Sequence, residues 1–112
     1  MFHSISPILP TVNFQTTASF YKEKLDFDVS YFGNYLVVSK ENIRLFFYED
    51  KEVFYPLSCF IFVNNVEDMY TFYSSKGLLR PSDQLTEKPG NLKEFKMIDN
   101  NGHQLRVGER RF

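Results

Sequence analysis

Apolar and polar residues follow two different periods along the chain, and the order of these periods predicts the elements of the fold. Residues 5–12 (ISPILPTV) are typical of an extended strand, because Pro7 and Pro10 exclude a helix and favour a sheet edge. Asn13 is a suitable N-cap for a helix that continues through Lys24, with apolar residues at helical spacing. Three strands are predicted next, at residues 27–32, 35–39 and 42–48, and a charged loop follows at residues 49–52.

The second half of the chain repeats this order. A strand is predicted at residues 58–63 (SCFIFV), and Asn65 then caps a helix that Gly77 ends in a left-handed conformation. Residues 79–91 show no clear period, so no element is predicted there. Two further strands are predicted at residues 92–98 and 104–109, and a turn at residues 99–102 joins them.

The two halves also share residues at equivalent positions. A shift of 52 positions superposes four identical pairs within the two predicted helices, Asn13 and Asn65, Phe20 and Phe72, Tyr21 and Tyr73, and Lys24 and Lys76. Two amphipathic helices with an Asn cap could acquire an aromatic pair independently, but four identities in one short window favour duplication. We therefore predict two similar halves, each with a strand, a helix and a run of strands.

Composition narrows the possible functions. The 13 Phe and 7 Tyr exceed what a small core normally absorbs, so some are expected to line a cavity or a subunit interface. The net charge of −1, with scattered Lys and Arg, argues against nucleic acid as a partner, because phosphate neutralisation requires a basic patch. The single Cys59 and an N-terminus unlike a signal peptide predict a cytoplasmic location. No apolar run approaches the roughly 20 residues of a membrane span, so no membrane partner is expected.

Three stretches resemble the glyoxalase/bleomycin resistance protein/dioxygenase superfamily, also known as the vicinal oxygen chelate proteins. LPTVNFQTTASFYKEKLDF (9–27) is similar to its first strand and helix, CFIFVNNVEDMYTFYSSKGL (59–78) to its second such unit, and KPGNLKEFKMIDNNGHQLRVGE (88–109) to its closing hairpin. The resemblance implies one α+β domain over residues 1–112. Its two βαβββ modules, about 1–52 and 53–112, would lie side by side and form curved mixed sheets around a cavity. It also implies a homodimer.

Within the superfamily, the chain most resembles bleomycin-resistance proteins, which bind and sequester a drug without changing it. Those proteins often have Pro-Trp-Gly where this chain has Pro89-Gly90-Asn91, and this chain contains no Trp. They are also typically strongly acidic, to match a cationic drug, whereas this chain is nearly neutral. These differences favour a ligand other than bleomycin.

The metal positions of the superfamily are not occupied by ligand side chains here. The enzymes hold a divalent metal with His, Glu or Gln from four strands. By resemblance, these positions fall on Ser6, Phe46, Ser58 and Arg106. None of these residues is a good ligand, and the Arg106 guanidinium would repel a cation. His3 and His103 are isolated, and an isolated His is more often structural or solvated than a ligand. We therefore predict no metal, no cofactor and no catalytic residue of the family type.

Strand alternation then indicates which side chains face the predicted cavity. The face set by the four aligned positions combines aromatic and polar groups, which is typical of small-molecule pockets, whereas the opposite face is almost wholly apolar. The candidate ligand-binding residues on this face and beside the Gly33-Asn34 turn are Phe32, Tyr35, Phe46, Tyr48, Phe60, Phe62, Glu94 and Arg106. An inward Arg106 predicts a preference for a neutral or anionic aromatic compound.

Three functions stay open on these residues. The preferred one is a metal-free protein that binds and sequesters an aromatic small molecule. The second is an enzyme of the same superfamily, of lyase or isomerase type, that acts on a small substrate through Arg106 and Glu94. The third is a non-catalytic dimeric module in which aromatic side chains fill the cavity and Arg106 pairs structurally with Glu94. Missing metal ligands and plentiful inward aromatics favour binding.

Overall fold

The computed structural model describes residues 1–52 and 55–111, and within these ranges the chain forms eight strands and two α-helices. The chain divides into two compact units, Met1–Pro56 and Leu57–Phe112. Each unit holds one mixed four-stranded sheet. Among the described residues, neither helix has the length and apolar character needed to span a membrane.

The N-terminal unit has the order strand, helix and three strands. Its elements are β1 (Ile8–Thr11), α1 (Phe14–Ser19), β2 (Asp28–Phe32), β3 (Tyr35–Lys40) and β4 (Ile43–Glu49). The strand order is β1-β4-β3-β2, with β1 parallel to β4 and the other neighbours antiparallel. Pro10 therefore lies on an edge strand, as its missing N–H predicts. β1 is shorter than the predicted strand because only Ile8–Thr11 pairs in register with β4. Glu49 belongs to β4 and not to the loop predicted there.

The C-terminal unit repeats this arrangement. Its elements are β5 (Ser58–Phe62), α2 (Val66–Ser75), β6 (Thr86–Lys88), β7 (Leu92–Ile98) and β8 (Gln104–Arg110). The strand order is β5-β8-β7-β6, with β5 parallel to β8 and the other neighbours antiparallel. Both units are thus βαβββ modules with mixed sheets, and the predicted α+β fold class is confirmed.

Two local features differ from the prediction. The helix predicted through Lys24 is α-helical only to Ser19, and Phe20–Lys24 forms a π-helical turn. Apolar spacing over so few residues does not distinguish the two helix types. In the stretch left without an element, Pro81–Asp83 forms a 3-10 turn and β6 adds an edge strand, which is too short to show a period of two.

Equivalent Asn residues cap both helices. The Asn13 side chain accepts a hydrogen bond from the backbone N–H of Thr16 at 2.9 Å, and Asn65 accepts one from Asp68 at 3.2 Å. These bonds satisfy backbone donors that have no partner inside the helix. After α2, Gly77 has a φ of +71°, so the predicted left-handed C-cap is confirmed.

Each helix start also receives a carboxylate from the last strand of its own sheet. Glu49 Oε2 accepts from the N–H of Phe14 at 2.9 Å, and Glu109 Oε1 accepts from the N–H of Val66 at 3.0 Å. A negative side chain at a helix N-terminus is favourable because the backbone donors and the helix dipole both point towards it. The duplication therefore extends from shared residues to a shared long-range contact.

The core of each unit lies between its helix and the apolar face of its sheet. In the N-terminal unit, Leu45 and Phe47 are buried, and the Tyr21 ring lies 5.3 Å from that of Phe47. In the C-terminal unit, the buried Phe95 contacts Tyr70 of α2, with ring centroids 5.5 Å apart. Leu45 and Phe47 of β4 and Leu105 and Val107 of β8 are buried, and they alternate with more accessible residues, as the sequence pattern predicts.

Candidate functional site

Four predicted site residues lie on one face of the C-terminal sheet, opposite to the face that packs under α2. Alternation places Phe60 and Phe62 of β5, Glu94 of β7 and Arg106 of β8 on this face, which we term the C-terminal aromatic face. Phe60 is the register partner of Arg106. The two Phe rings lie 4.7 Å apart at an interplanar angle of 43°. Phe62 is 67% exposed, so its ring offers apolar surface to solvent.

Arg106 is held by two neighbours on this face. Its Nη2 donates to Glu94 Oε1 at 2.5 Å, and its guanidinium carbon lies 5.4 Å from the centroid of the Phe60 ring. The Glu94 side chain is only 7% exposed, whereas that of Arg106 is 42% exposed. The predicted preference for a neutral or anionic aromatic compound assumed an unpaired guanidinium. The pairing with Glu94 removes that assumption, because the carboxylate offsets most of the positive field.

The second carboxylate oxygen of Glu94 has a different environment. Oε2 is buried and has no hydrogen-bond partner among the described residues. A buried acceptor left without a donor costs about 1–3 kcal/mol. Buried polar atoms of this kind are rare in folded proteins, so Oε2 is a specific feature of the site that needs an explanation.

Gly108 makes room for these side chains, although it was not among the predicted site residues. It lies opposite Glu94 on β8, and a Cβ atom there would come within 2.7 Å of Phe60 Cζ and 3.1 Å of Glu94 Cβ. Any larger residue would therefore displace the Phe60 ring. The available signal was a glycine inside a strand pattern, which often marks a close approach by another group.

A cavity of about 250 Å³ opens beside Glu94 and Arg106. Its lining also includes Asp83, Thr86, Lys96 and Gln104. Asp83 and Thr86 come from the stretch in which no element was predicted, so this side of the site was also missed. The cavity combines carboxylates, amines and neutral polar groups, and Arg106 in its lining contacts the Phe60 ring, so polar and aromatic groups adjoin as in small-molecule sites.

Asp83 is a second buried carboxylate beside this cavity. Both of its oxygens accept hydrogen bonds from the Arg80 guanidinium, at 2.8 and 2.9 Å, and Lys96 Nζ lies 4.0 Å from Oδ1. The hydrogen bond from Arg80 is the main reason that the pKa of Asp83 lies below its ordinary value of 3.8. Asp83 therefore stays ionised and fixes the 3-10 turn at the cavity wall.

The lowered pKa of Asp83 predicts a specific acid response. A carboxyl with a folded pKa below its unfolded one contributes stability above about pH 3.8, and loses it as the pH falls through the folded value. We expect wild-type protein to lose more stability than Asp83→Asn between about pH 6 and pH 3. Urea midpoints at the two pH values measure this difference. The exposed Asp28→Asn is the control, and equal losses in wild type and Asp83→Asn would contradict the prediction.

The N-terminal unit holds the other predicted site residues. Phe46 of β4 lies 5.5 Å from the Tyr35 ring and 6.3 Å from the Phe32 ring, so the structure brings these three residues together. Tyr48 lies two residues after Phe46 on the same face of β4 and is partly exposed. We term these four residues the N-terminal aromatic cluster.

Ser6, Phe46, Ser58 and Arg106, which the resemblance placed at metal positions, do not provide a set of metal-ligand side chains. Among residues 1–52 and 55–111, no group of three or more His, Cys, Asp or Glu side chains could hold an ion. Arg106, at one of the four positions, is bound to Glu94. His103 is buried, and its Nδ1 accepts the backbone N–H of Leu57 at 2.9 Å, so it anchors the start of β5.

Cys59 is unsuited to nucleophilic chemistry. It is half-buried on β5, and burial is the main reason that its pKa is raised, with the Asp99 carboxylate as a second cause. A raised pKa disfavours the thiolate, which is the reactive form. Alternation places Cys59 on the face of β5 opposite to Phe60, paired with the buried Leu105.

The chain shares its fold with solved structures over nearly its whole length, whereas no protein-family model and no curated protein matches it. It is similar to a bleomycin resistance determinant encoded on the transposon Tn5, with 19% identity, 99% and 100% of the two chains covered, and a TM-score of 0.86. A bleomycin-binding protein complexed with bleomycin gives 19% identity, 98% and 100% coverage and a TM-score of 0.85. Lactoylglutathione lyase from Agrobacterium tumefaciens gives 12% identity, 95% and 92% coverage and a TM-score of 0.76. The chain therefore has the fold of the bleomycin-resistance and glyoxalase/dioxygenase proteins, as the three sequence stretches implied.

Proposed function

We propose that this chain binds and sequesters an aromatic small molecule, without a metal or other cofactor and without catalysis. The observation that carries the proposal is the exposed Phe62 ring, 4.7 Å from the Phe60 ring, on the sheet face where Arg106 contacts Phe60 and pairs with the buried Glu94 beside a cavity. Exposed aromatic surface next to a few fixed polar groups is typical of small-molecule sites. An aromatic ligand would cover this surface and gain the free energy of its removal from water.

Two alternatives receive less support. An enzyme acting through Arg106 and Glu94 would need these groups free for a substrate, and they are bound to each other. A module with a filled cavity would bury its inward rings, whereas Phe62 is largely exposed. The filled-cavity alternative also expected Arg106 to pair with Glu94. This pair is present, but it is equally compatible with a pre-organised binding site.

The similar solved structures support the class of function. One of them is a bleomycin-binding protein in complex with bleomycin, and another is a bleomycin resistance determinant. The proposal takes from them a small-molecule ligand and not its identity, because this chain is nearly neutral and lacks Trp.

We also propose a homodimer in the cytoplasm. Large apolar side chains such as Ile8, Tyr31 and Phe32 are exposed in the single chain, and a subunit interface would bury them. Sedimentation at micromolar concentration tests this, with a dimer as the expected species and a monomer as the contradicting one. The single Cys59 is compatible with a reducing compartment.

The binding proposal is tested with two amides of equal size. Naphthamide is planar and aromatic, and decalin carboxamide is its saturated counterpart. We expect naphthamide to raise the unfolding temperature more than decalin carboxamide does, because a ligand stabilises the folded state by an amount that grows with its affinity. Phe60→Leu and Phe62→Leu are expected to reduce the rise in unfolding temperature that naphthamide causes.

Phe72→Leu is the matched control, because Phe72 is an exposed aromatic residue on α2, away from the C-terminal aromatic face. Naphthamide should raise the unfolding temperature of Phe72→Leu as much as it raises that of the wild-type protein. The proposal is wrong if naphthamide gives no gain at millimolar concentration, or if Phe72→Leu reduces the gain as much as Phe60→Leu.

A further inference from the structure

We propose that Glu94 Oε2 accepts a hydrogen bond from the ligand, and that the ligand is therefore a neutral aromatic compound with an N–H donor group such as a carboxamide. This inference rests on the proposed function and narrows its ligand class. Its basis is the juxtaposition, on one sheet face, of a buried acceptor without a partner beside the cavity, the guanidinium bound to the same carboxylate, and the rings of the half-buried Phe60 and the exposed Phe62.

The two oxygens of Glu94 have different roles in this arrangement. Oε1 receives Arg106 Nη2, which fixes the rotation of the carboxylate. Oε2 then has a defined direction but no donor among the described residues. A carboxylate oxygen can only accept hydrogen bonds, so the complementary ligand group must be a donor. A ligand that supplies this donor removes the cost of the unpaired atom, which makes the site selective.

The charges around the cavity favour a neutral donor. Lys88, Lys96 and Arg106 line the cavity against the carboxylates of Asp83 and Glu94. The cationic groups outnumber the anionic ones by one, so an additional cation on the ligand gains little from this field. An anionic ligand would place its own acceptors against Oε2, where like charges repel. A neutral carboxamide avoids both penalties.

The aromatic rings supply the position from which the donor reaches Glu94. Phe60 lies beside Arg106 in register, and its ring occupies the space that the missing Cβ of Gly108 leaves opposite Glu94. A planar ligand that packs on Phe60 and Phe62 would thus have its edge near the carboxylate. Oε2 is closed to solvent in the free chain, so the ligand must displace a neighbouring side chain.

The test compares naphthamide with methyl naphthoate, substituted at the same ring position. The ester has nearly the same shape, is also neutral and has no N–H donor. By calorimetry, we expect wild-type protein to bind the amide at least about tenfold more tightly than the ester, because a hydrogen bond to a charged acceptor has this magnitude. Naphthoate is expected to bind more weakly than the amide.

Glu94→Gln sharpens the test because it is isosteric and exchanges one acceptor for a donor. Arg106 needs an acceptor, so the Gln carbonyl will take the place of Oε1 and its NH₂ group that of Oε2. The preference should then disappear or reverse in favour of the ester. Glu87→Gln, on the neighbouring β6 and exposed, makes the same change of charge and should keep the wild-type preference.

The outcomes separate this inference from the proposed function. If wild type binds both compounds equally, and Phe60→Leu weakens both, the binding proposal holds and the role of Oε2 is wrong. If Glu94→Gln keeps the wild-type preference for the amide, the role of Oε2 is also wrong. If neither compound binds wild type, both proposals fail. The comparison of the two compounds on wild type needs no variant, so it is decisive even if Glu94→Gln does not fold.

Discussion

Tyr21→Ala is expected to lower the free energy of unfolding by about 3–5 kcal/mol, the usual cost of truncating a large buried aromatic side chain. Tyr21 is fully buried and lies within 5.3 to 5.7 Å of three other rings, those of Phe20, Phe27 and Phe47. Its truncation would leave a cavity between the π-helical turn and β4 that these rings cannot close. Urea unfolding monitored by circular dichroism measures the loss.

Tyr31→Ala is the matched control for this prediction. Tyr31 has the same side chain but is largely exposed on β2 and contacts only the Phe14 ring among the described aromatic pairs. We expect it to cost less than about 1 kcal/mol, as surface substitutions generally do. Similar losses for the two variants would show that Tyr21 is not the centre of the N-terminal core.

Arg106→Met is expected to destabilise the protein by about 2 kcal/mol, although Arg106 is itself partly exposed. The substitution keeps the apolar stem of the side chain but leaves both oxygens of the nearly buried Glu94 without a donor. An unpaired buried carboxylate costs more than the pair contributes, since Glu94 cannot recover its hydration. The partial exposure of Arg106 reduces this value below that of a fully buried pair.

A double-mutant cycle distinguishes a lost ion pair from lost packing. Adding Glu94→Gln to Arg106→Met removes the buried charge, so the double variant should be more stable than Arg106→Met alone. Arg44→Met, on the exposed side of β4, is the control and should change stability by less than about 0.5 kcal/mol. The interpretation fails if Arg106→Met costs no more than Arg44→Met, or if Glu94→Gln lowers stability further.

The fold followed from the sequence because its signals are local. Asn13 and Asn65 cap helices through side chains only three residues from their donors, and Pro10 limits its strand to a sheet edge. The π-helical turn and β6 could not be predicted, because each depends on tertiary packing over fewer residues than one period of the pattern. Local signals therefore gave the order of elements but not every boundary.

The candidate site was predictable only in part. Alternation correctly placed Phe60 and Arg106 on one face of the sheet, and the pairing of Arg106 with Glu94 was one of two alternatives. Whether Arg106 is paired or unpaired depends on the side-chain rotamers of Arg106 and Glu94, and the pattern of residue types does not determine these rotamers. The same is true of the unpaired Oε2 and of the space that Gly108 leaves for Phe60.

The central claim, that the C-terminal aromatic face binds an aromatic ligand, is tested most directly by an NMR titration of isotope-labelled protein with naphthamide. The account predicts saturable shifts that are largest for backbone amides of β5, β7 and β8 near Phe60, Glu94 and Arg106. Shifts that do not saturate, or that are largest on α1 or α2, would contradict it.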